Sequence, residues 1–488
     1  MRILTLLFLF LSNPLFASFQ MNVRMQQSYT HIINLEFEAA NKLLHIEQIE
    51  HPDNGILVLH QNYIDFLTIL IGEEKEFFST AKDLKSDRID FIQDGDDSSP
   101  YYLYAQAEVH LQWAFARIKF EEYLTAAYEI QKAYSLLEKN QEQFPDFKLN
   151  IKGLGLLHTL VGAIPEKYQW ILNLVGMEGT VELGLAELKF LLKDEELEMY
   201  HSEILFLTTF LQLNMTNDET AFKQLLDDIG VEYSDNYLLN FAAARLSHAL
   251  GENDFCIKVL ENRPAAQGKY PFHYLDYLQA MSYLYTLNFE KSEILFNQFL
   301  NNFKGNNYIK SAYQKLSWIA FLRQKSDEEI GYLKKIELEG RAFIDEDKVA
   351  LKEVVQNHRN SPKLLIARLL YDGGYYKKAQ LELTTNNKLS DYVGFFDEYY
   401  YRLARIESKL KYLDEQVIAK YQKAFDLGKK SKNYYAPMSA LQIGLIYEKQ
   451  QKLKQAKIYF EKCLSLSNFD YERGIHQKAK VGLVRVTN

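Results

Sequence analysis

Residues 444–463 read GLIYEKQQKLKQAKIYFEKC. Gly444 and Ala456 stand twelve positions apart, Phe460 follows one helical turn after Ala456, and Tyr447 and Cys463 keep the same register. Two small residues at this distance, each inside an apolar stripe of helical period, describe paired helices that approach too closely for a larger side chain. The pattern recurs upstream: Ala244 leads to Cys256 and Leu260, Ala280 to Ser292 and Phe296, and Ala367 to Ala379 and Leu383. Ala404 with Tyr421 and Ala424 makes a fifth copy once one residue is inserted, and residues 311–339 read as a further pair in poor register. Residues 101–137 and 202–226 fit more loosely. The expectation is an all-α chain, a helix-pair solenoid wound as a right-handed superhelix.

Composition agrees with an extended array. The chain has 488 residues, 47% of them hydrophobic and 25% charged. A single compact core rarely grows beyond about 250–300 residues, so a chain of this length is either several domains or a stacked array. With only 9 prolines and 22 glycines, long unstructured linkers are not expected. The net charge of −9 is spread over mixed acidic and basic residues with no Lys/Arg-rich block, so the electrostatic footprint of nucleic-acid binding is missing. Cys256 and Cys463 both fall at small-residue positions of the repeat. Distant repeats of a solenoid do not touch, so no bridge is expected and both thiols read as small buried groups.

The N-terminus reads as an export signal: Met1-Arg2, the apolar run Ile3 to Leu11, the break at Asn13-Pro14, and a cleavage point after Ala17. No cysteine follows for lipid attachment, and no later apolar stretch of membrane-spanning length is free of charge, so no transmembrane helix is expected. The expected location is the periplasm or cell envelope. Downstream, helices are expected from near Ser28, over 56–71, 74–91, 101–120 and 122–139, with His51 to Gly55 as a turn. The acidic segment Asp94 to Pro100 fails the calcium-loop spacing, because Gly95 stands second and not sixth. It reads as a turn with Ser99 as N-cap and Pro100 in the first helical position.

One stretch is no copy of the repeat. Residues 153–192, GLGLLHTLVGAIPEKYQWILNLVGMEGTVELGLAELKFLL, place glycine at 153, 155, 162, 176, 179 and 184. A glycine inside a helix costs about 1 kcal/mol relative to alanine, so these need a compensating reason. Close helix contact supplies one for Gly153, Gly155, Gly162 and Gly184. Gly176 and Gly179 read as a helix end and loop before Thr180 as N-cap. Three short helices follow, near 152–164, 166–175 and 181–193, forming a junction that breaks the repeat. A ligand groove floored by glycine, or a membrane-interface helix over 154–164, are the competing readings. His158 lacks partners at ligand spacing and reads as a hydrogen-bonded core residue.

The C-terminal half resembles a tetratricopeptide-repeat array. Gly153-Leu-Gly155, Pro165 after an apolar helix, Val175-Gly176-Met-Glu-Gly179 and Glu182-Leu-Gly184-Leu resemble the eukaryotic inclusion-body-clearance family of tetratricopeptide proteins and its bacterial relatives. The resemblance covers about residues 30–300 and implies an all-helical adaptor with no catalytic residues. The expected organisation is a signal at 1–17, divergent hairpins over 18–151, the glycine-rich junction at 152–200, and repeats over 201–345 and 346–488.

Arrays of this kind bind on the concave side, lined by the first helix of each pair. The residue after the small one is expected there: Arg245, Arg368 and Arg405, in Ala-Arg-Leu, Ala-Arg-Leu and Ala-Arg-Ile, with Ala116-Arg117-Ile118 similar. In the copy at Ala280 the same surface carries Tyr274, Tyr277, Met281 and Tyr285. Arg and Tyr are common binding hot spots, so Arg245, Arg368, Arg405, Tyr274, Tyr277 and Met281 are the expected partner-binding residues, for an extended peptide, a carboxylate or a glycan. The competing reading pairs each arginine with acidic residues of the next repeat. No H-E-x-x-H, G-x-S-x-G, P-loop or paired-cysteine motif occurs, and His201 with Glu203 beside an apolar helix makes no constellation. The expected function is therefore an exported, non-enzymatic scaffold without cofactor or metal that binds unidentified proteins. The alternative is a binder of a small glycan or lipid in the junction or groove.

Overall fold

The structure is a computed structural model and describes residues 18–164, 176–356, 361–385 and 389–487. Among the described residues there are 24 α-helices and no strand, only a single bridge between Ser18 and Asn54. They divide into two compact units. One comprises the chain up to residue 250 with 258–276 and 301–306; the other comprises 251–257, 277–300 and 307 onward.

The first unit begins with α1 (Val23–Ile33), α2 (Phe37–Glu50), α3 (Gly55–Gly72) and α4 (Lys75–Gln93), then the hairpin α5 (Pro100–Lys119) and α6 (Tyr123–Gln143). α1 starts earlier than the apolar stripe suggests because the Asn22 side chain accepts from the Met25 N–H and caps it. The acidic turn behaves as expected: the Ser99 hydroxyl accepts from Tyr101 N–H and Pro100 opens α5. By length and composition α3 is apolar enough to cross a membrane, yet 67% of it is buried inside the protein, where it packs on α1 and α5.

The glycine-rich junction forms α7 (Leu149–Gly162) and α8 (Val181–Leu191), close to the expected 152–164 and 181–193. The expected helix over 166–175, with Pro165, lies outside the described residues. A Cβ on Gly184 would lie 2.2 Å from the Gly155 carbonyl oxygen and 2.6 Å from Thr159 N, and one on Gly162 would lie 2.3 Å from Val181 N. A Cβ on Gly179 would meet the His158 backbone at 2.5 Å. Backbone of the crossing segment therefore fills the space above these glycines, which is the compensation their helical cost requires. Gly176 differs: it has open space around it and a φ of +69°, so it answers to conformation and not to packing. His158 accepts or donates at 2.7 Å to Glu187 on α8, as a hydrogen-bonded residue of the junction. The unit continues through α9 (His201–Met215), α10 (Glu219–Ile229) and α11 (Tyr237–Leu250), after which α12 (Asn253–Glu261) follows.

The second unit takes up α13 (Tyr274–Tyr285) from Tyr277 onward, with α14 (Phe289–Asn302), α15 (Ile309–Leu322), α16 (Ser326–Leu338) and α17 (Asp345–Val355). It ends with α18 (Pro362–Asp372), α19 (Tyr376–Thr384), α20 (Phe396–Lys409), α21 (Asp414–Gly428), α22 (Tyr435–Lys449), α23 (Leu453–Leu464) and α24 (Glu472–Thr487). The small residues of the repeat are the crossing points of its helix pairs. The Ser292 hydroxyl on α14 donates to the Ala280 carbonyl on α13 at 2.9 Å. A Cβ on Gly444 of α22 would lie 2.6 Å from the Phe460 ring of α23, and one on Gly482 of α24 would lie equally close to the same ring. Ala404, Tyr421 and Ala424 meet in one buried cluster, so the one-residue insertion is real. Ala367, Ala379 and Leu383 form another cluster. Cys256 and Cys463 are both buried free thiols, the first 3.3 Å from the Ser282 hydroxyl and the second packed on Ala456 and Phe460.

Candidate partner-binding groove

On the first helices of the pairs in the second unit, cations and aromatic rings alternate. From α15, Lys315 and Trp318 lie one turn apart, with the Lys315 ammonium 4.4 Å from the centre of the Trp318 ring. The Arg368 guanidinium of α18 lies over the same ring at 4.9 Å. Tyr371, one turn along α18, meets Arg405 of α20 at 4.1 Å, and Tyr401 flanks Arg405 from its own helix at 5.5 Å. Arg402, on the next face of α20, reaches the Tyr435 ring of α22 at 5.9 Å. Contacts of this kind contribute about 0.5–2 kcal/mol each as they lose water. They hold each guanidinium in a fixed plane.

The charges of this row are unequally matched. Arg402 is buried and bonded to Glu398 one turn earlier, with its Nε at 2.6 Å. Among the described residues Arg368 has one ion-pair partner, Asp372, 3.7 Å from its Nε. Arg405 makes no ion pair and no hydrogen bond among the described residues. Lys315 donates to Gln314 Oε1 at 2.5 Å, and burial followed by the neighbouring Arg368 brings its ammonium down to about 8. Glu353 of α17 is spent on the Trp318 Nε1–H at 2.8 Å and on Gln314.

Beside this row opens a cleft with a cavity volume of about 750 Å³. Arg368, Arg402, Glu398 and Tyr435 line it together with residues of α17 and residues 470–474, and among these Lys352 pairs with Asp470. Its lining carries as many carboxylates as cations: Asp345, Glu353, Glu398, Asp470 and Glu472 against Lys348, Lys352, Arg368, Arg402 and Arg473. It is therefore a mixed-charge, tyrosine-rich cleft and not a basic channel.

Of the residues expected on the concave side, Arg368 stacks on Trp318 and lines the cleft, and Arg405 stacks on Tyr371 and Tyr401 in the same row. Arg245 and Tyr274 meet in the first unit, the guanidinium 3.4 Å from the phenol oxygen, beside the Phe241 ring. Met281 is half-buried. Tyr277 does not line a surface: it is 4% exposed, packs edge-on against Phe296 and Phe299, and shares a hydrogen bond with Ser311 at 2.8 Å. On this helix the tyrosine stripe turns inward, so an aromatic at helical spacing marked core here. Arg117 follows the competing reading, bonded to Glu122 and lying 3.4 Å from Glu129. Trp318, Tyr371, Tyr401 and Arg402 were not expected. α15 is out of register with the repeat, and Arg402 sits two positions before the small residue, not one after it.

Sequence spacing also concealed a charged cluster buried in the first unit. Lys152 of α7 is 2% exposed and donates to Tyr63 at 2.9 Å, to Glu203 at 2.9 Å and to Glu108 at 3.2 Å. Tyr63 donates to Glu108 at 2.6 Å, and Tyr29 donates to Glu203 at 2.5 Å. Burial opposes the charge on Lys152, but Glu108 and Glu203 outweigh it and hold the ammonium above its ordinary range. Burial first, then the same carboxylates, keeps the phenols of Tyr29, Tyr63 and Tyr104 protonated and donating. Two carboxylates thus share one ammonium inside helix packing. Glu203 belongs to this constellation, contrary to its sequence reading. Among the described residues no group of His, Cys, Asp and Glu has the arrangement to hold a metal ion.

Residues 150–366 match the family model described as Iml2/Tetratricopeptide repeat protein 39. The crystal structure of the yeast Tom70 aligns over 95% of this chain and 95% of that chain, at 11% identity and a TM-score of 0.23. No curated protein sequence matches the chain.

Proposed function

We propose that this tetratricopeptide-type chain, similar over residues 150–366 to the Iml2/Tetratricopeptide repeat protein 39 family, is an exported scaffold without enzymatic activity. It assembles partner proteins by taking an extended segment of each into the cleft of its second unit. The observation that carries this reading is the row of cations stacked on Trp318, Tyr371, Tyr401 and Tyr435 beside a cleft of about 750 Å³. Aromatic rings and arginines held in place before binding lose little freedom on contact, which is how such residues become hot spots. A mixed-charge lining suits a peptide, whose own charges alternate, better than it suits a uniform polyanion. The glycine junction supports the alternative less well, since the backbone of the crossing helix fills the space above Gly155, Gly162 and Gly184.

Export rests on the N-terminal sequence. A cut after Ala17 would leave intact the contacts that begin at Ser18, whose N–H donates to the Asp53 carbonyl at 2.7 Å and whose carbonyl accepts from Gly55 N–H at 2.6 Å.

Photo-crosslinking tests the groove. A benzoyl-phenylalanine placed at Asn433, on the cleft lining, should give a discrete protein adduct in cell-envelope extracts, and the same group at exposed Ile330 should give none. Equal labelling from both positions would count against the groove.

A further inference from the structure

We propose that α1 is a strap that shuts the inner side of the first unit, and that it opens together with α2 as a separate piece. The strap is independent of the groove in the second unit. The faces it covers come from the first helix of each following pair. Tyr63 of α3, Glu108 of α5, Lys152 of α7 and Glu203 of α9 meet at one buried centre. Tyr29 of α1 closes that centre. Its hydroxyl donates to Glu203, 174 positions further along the chain, and its ring stands edge-on to Tyr63 at 6.0 Å and to Tyr200 at 4.8 Å. In this closed form the centre is sealed by the chain's own N-terminal helix and is not open to a partner.

What holds the strap shut is largely polar and comes from late in the chain. The side-chain amide of Asn236 donates to Asn34 Oδ1 at 2.9 Å and to the Ile33 carbonyl at 3.3 Å. The Lys269 ammonium donates to Glu36 at 2.7 Å and to the Asn34 carbonyl at 3.2 Å. The Tyr270 N–H donates to the Leu35 carbonyl at 2.7 Å, and the Tyr270 ring lies 5.2 Å from that of Phe37. These contacts grip the turn between α1 and α2. The two helices are also tied to each other, since Asn22 and Arg24 both bond Glu47. They therefore leave as one hairpin once the turn and the Tyr29–Glu203 bond are released. The centre behind them favours release. Two carboxylates share one ammonium there, so a net negative charge is buried while the phenols stay protonated, and water entering behind α1 would solvate it. A polar seam also loses less on hydration than an apolar one, because water replaces each bond. Met25 and Ile32 of α1 are buried, which keeps the open form the minor one. A piece attached in this way opens at a free energy below that of global unfolding.

Iodoacetamide labelling of introduced thiols in the full chain tests the strap, with the labelled positions read by peptide mass. Ser28→Cys places a thiol on the buried side of α1, and Ser247→Cys places one at an equally buried site on α11. The native Cys256 and Cys463, both buried in the second unit, report any opening there. Adding Lys269→Met should speed labelling in Ser28→Cys by about tenfold to a hundredfold, as expected for loss of hydrogen bonds from a charged donor. It should leave the rate in Ser247→Cys and at the native thiols unchanged. Lys269→Arg keeps the charge and should restore the slow rate. Tyr29→Phe removes one hydroxyl and should act in the same direction as Lys269→Met, so the strap stays testable if Lys269→Met fails to fold. Equal acceleration in Ser28→Cys and Ser247→Cys would show that Lys269 supports the whole unit and no separate piece. An unchanged rate in Ser28→Cys with both Lys269→Met and Tyr29→Phe would show that these contacts do not hold α1. Either result would overturn the proposal.

Discussion

Lys152 shows how much a single side chain can hold. Its ammonium is surrounded by Glu108, Glu203 and Tyr63 within 3.2 Å, and the alternative to this partnership is two buried carboxylates without a cation. Removing one partner of a buried pair costs about 3–5 kcal/mol, because the charge left behind stays buried. Lys152→Met should therefore lower stability by that amount in urea denaturation, and adding Glu108→Gln should recover part of the loss, since the two sites share one network. Independent, additive losses would show that the cluster is not coupled. None of this was legible in the sequence. Tyr29, Tyr63, Glu108, Lys152 and Glu203 lie 34 to 51 positions apart in the chain and share no local pattern. Only the stacking of successive helix pairs brings one residue from each to a common centre. Arg368 and Arg405 were singled out because each follows the small residue of a repeat, a position that local periodicity fixes, and both stand in the cation–aromatic row. Tyr277, three positions before the small residue Ala280, was placed on that surface only by its helical stripe, and it went inward, where its ring packs on Phe296, Phe299 and Tyr308.

At the level of helices, the crossing of α7 and α8 gives a prediction of sign. Glycine-to-alanine inside a helix ordinarily stabilises by about 0.5–1 kcal/mol. Gly331→Ala on α16, where an added Cβ meets nothing within 4 Å, should show that gain. Gly184→Ala should show the reverse, a loss of about 1–3 kcal/mol from overpacking, because the new Cβ would lie 2.2 Å from the Gly155 carbonyl oxygen. Equal effects at the two sites in urea denaturation would mean that the junction is looser than described.

A second helix-level device is Asp347 of α17, which accepts from Tyr308 N–H at 2.7 Å and Ser311 N–H at 2.9 Å and so caps the start of α15 from a distance. Burial raises its carboxyl to about 6, with the two N–H bonds pulling the other way. A folded-state value above the unfolded one means that the folded protein binds the proton first. The group's contribution is complete below about pH 4 and is lost as pH rises through 6. Relative to Asp347→Asn, the native protein should gain up to about 3 kcal/mol on going from pH 7 to pH 4. A flat difference between the two stability–pH profiles would contradict the burial of this carboxyl. The repeat spacing revealed α15 and α16 as helices but neither α17 nor this cap, because residues 311–339 run out of register and position 347 is remote from the helix it serves.

For the whole molecule, the sequence disclosed the architecture well: small residues twelve apart became helix crossings in the second unit, and the glycine-rich stretch became a close-packed junction. What it did not disclose is where the chain divides, because residues 251–306 contribute to both units and no composition change marks the alternation. The proposed export adds a prediction at this scale. N-terminal sequencing of protein recovered from the cell envelope should begin at Ser18, and a retained Met1 in the cytosolic fraction would contradict it.

The central claim, that partners are held in the second unit, is tested most directly by quantitative affinity isolation. The native chain and the doubly substituted Arg368→Gln/Arg405→Gln chain, matched for helical content and thermal midpoint, would be compared in parallel on the same envelope extract. The account predicts at least one protein retained in stoichiometric amount by the native chain and depleted about tenfold or more by the double substitution; identical sets of retained proteins would contradict it.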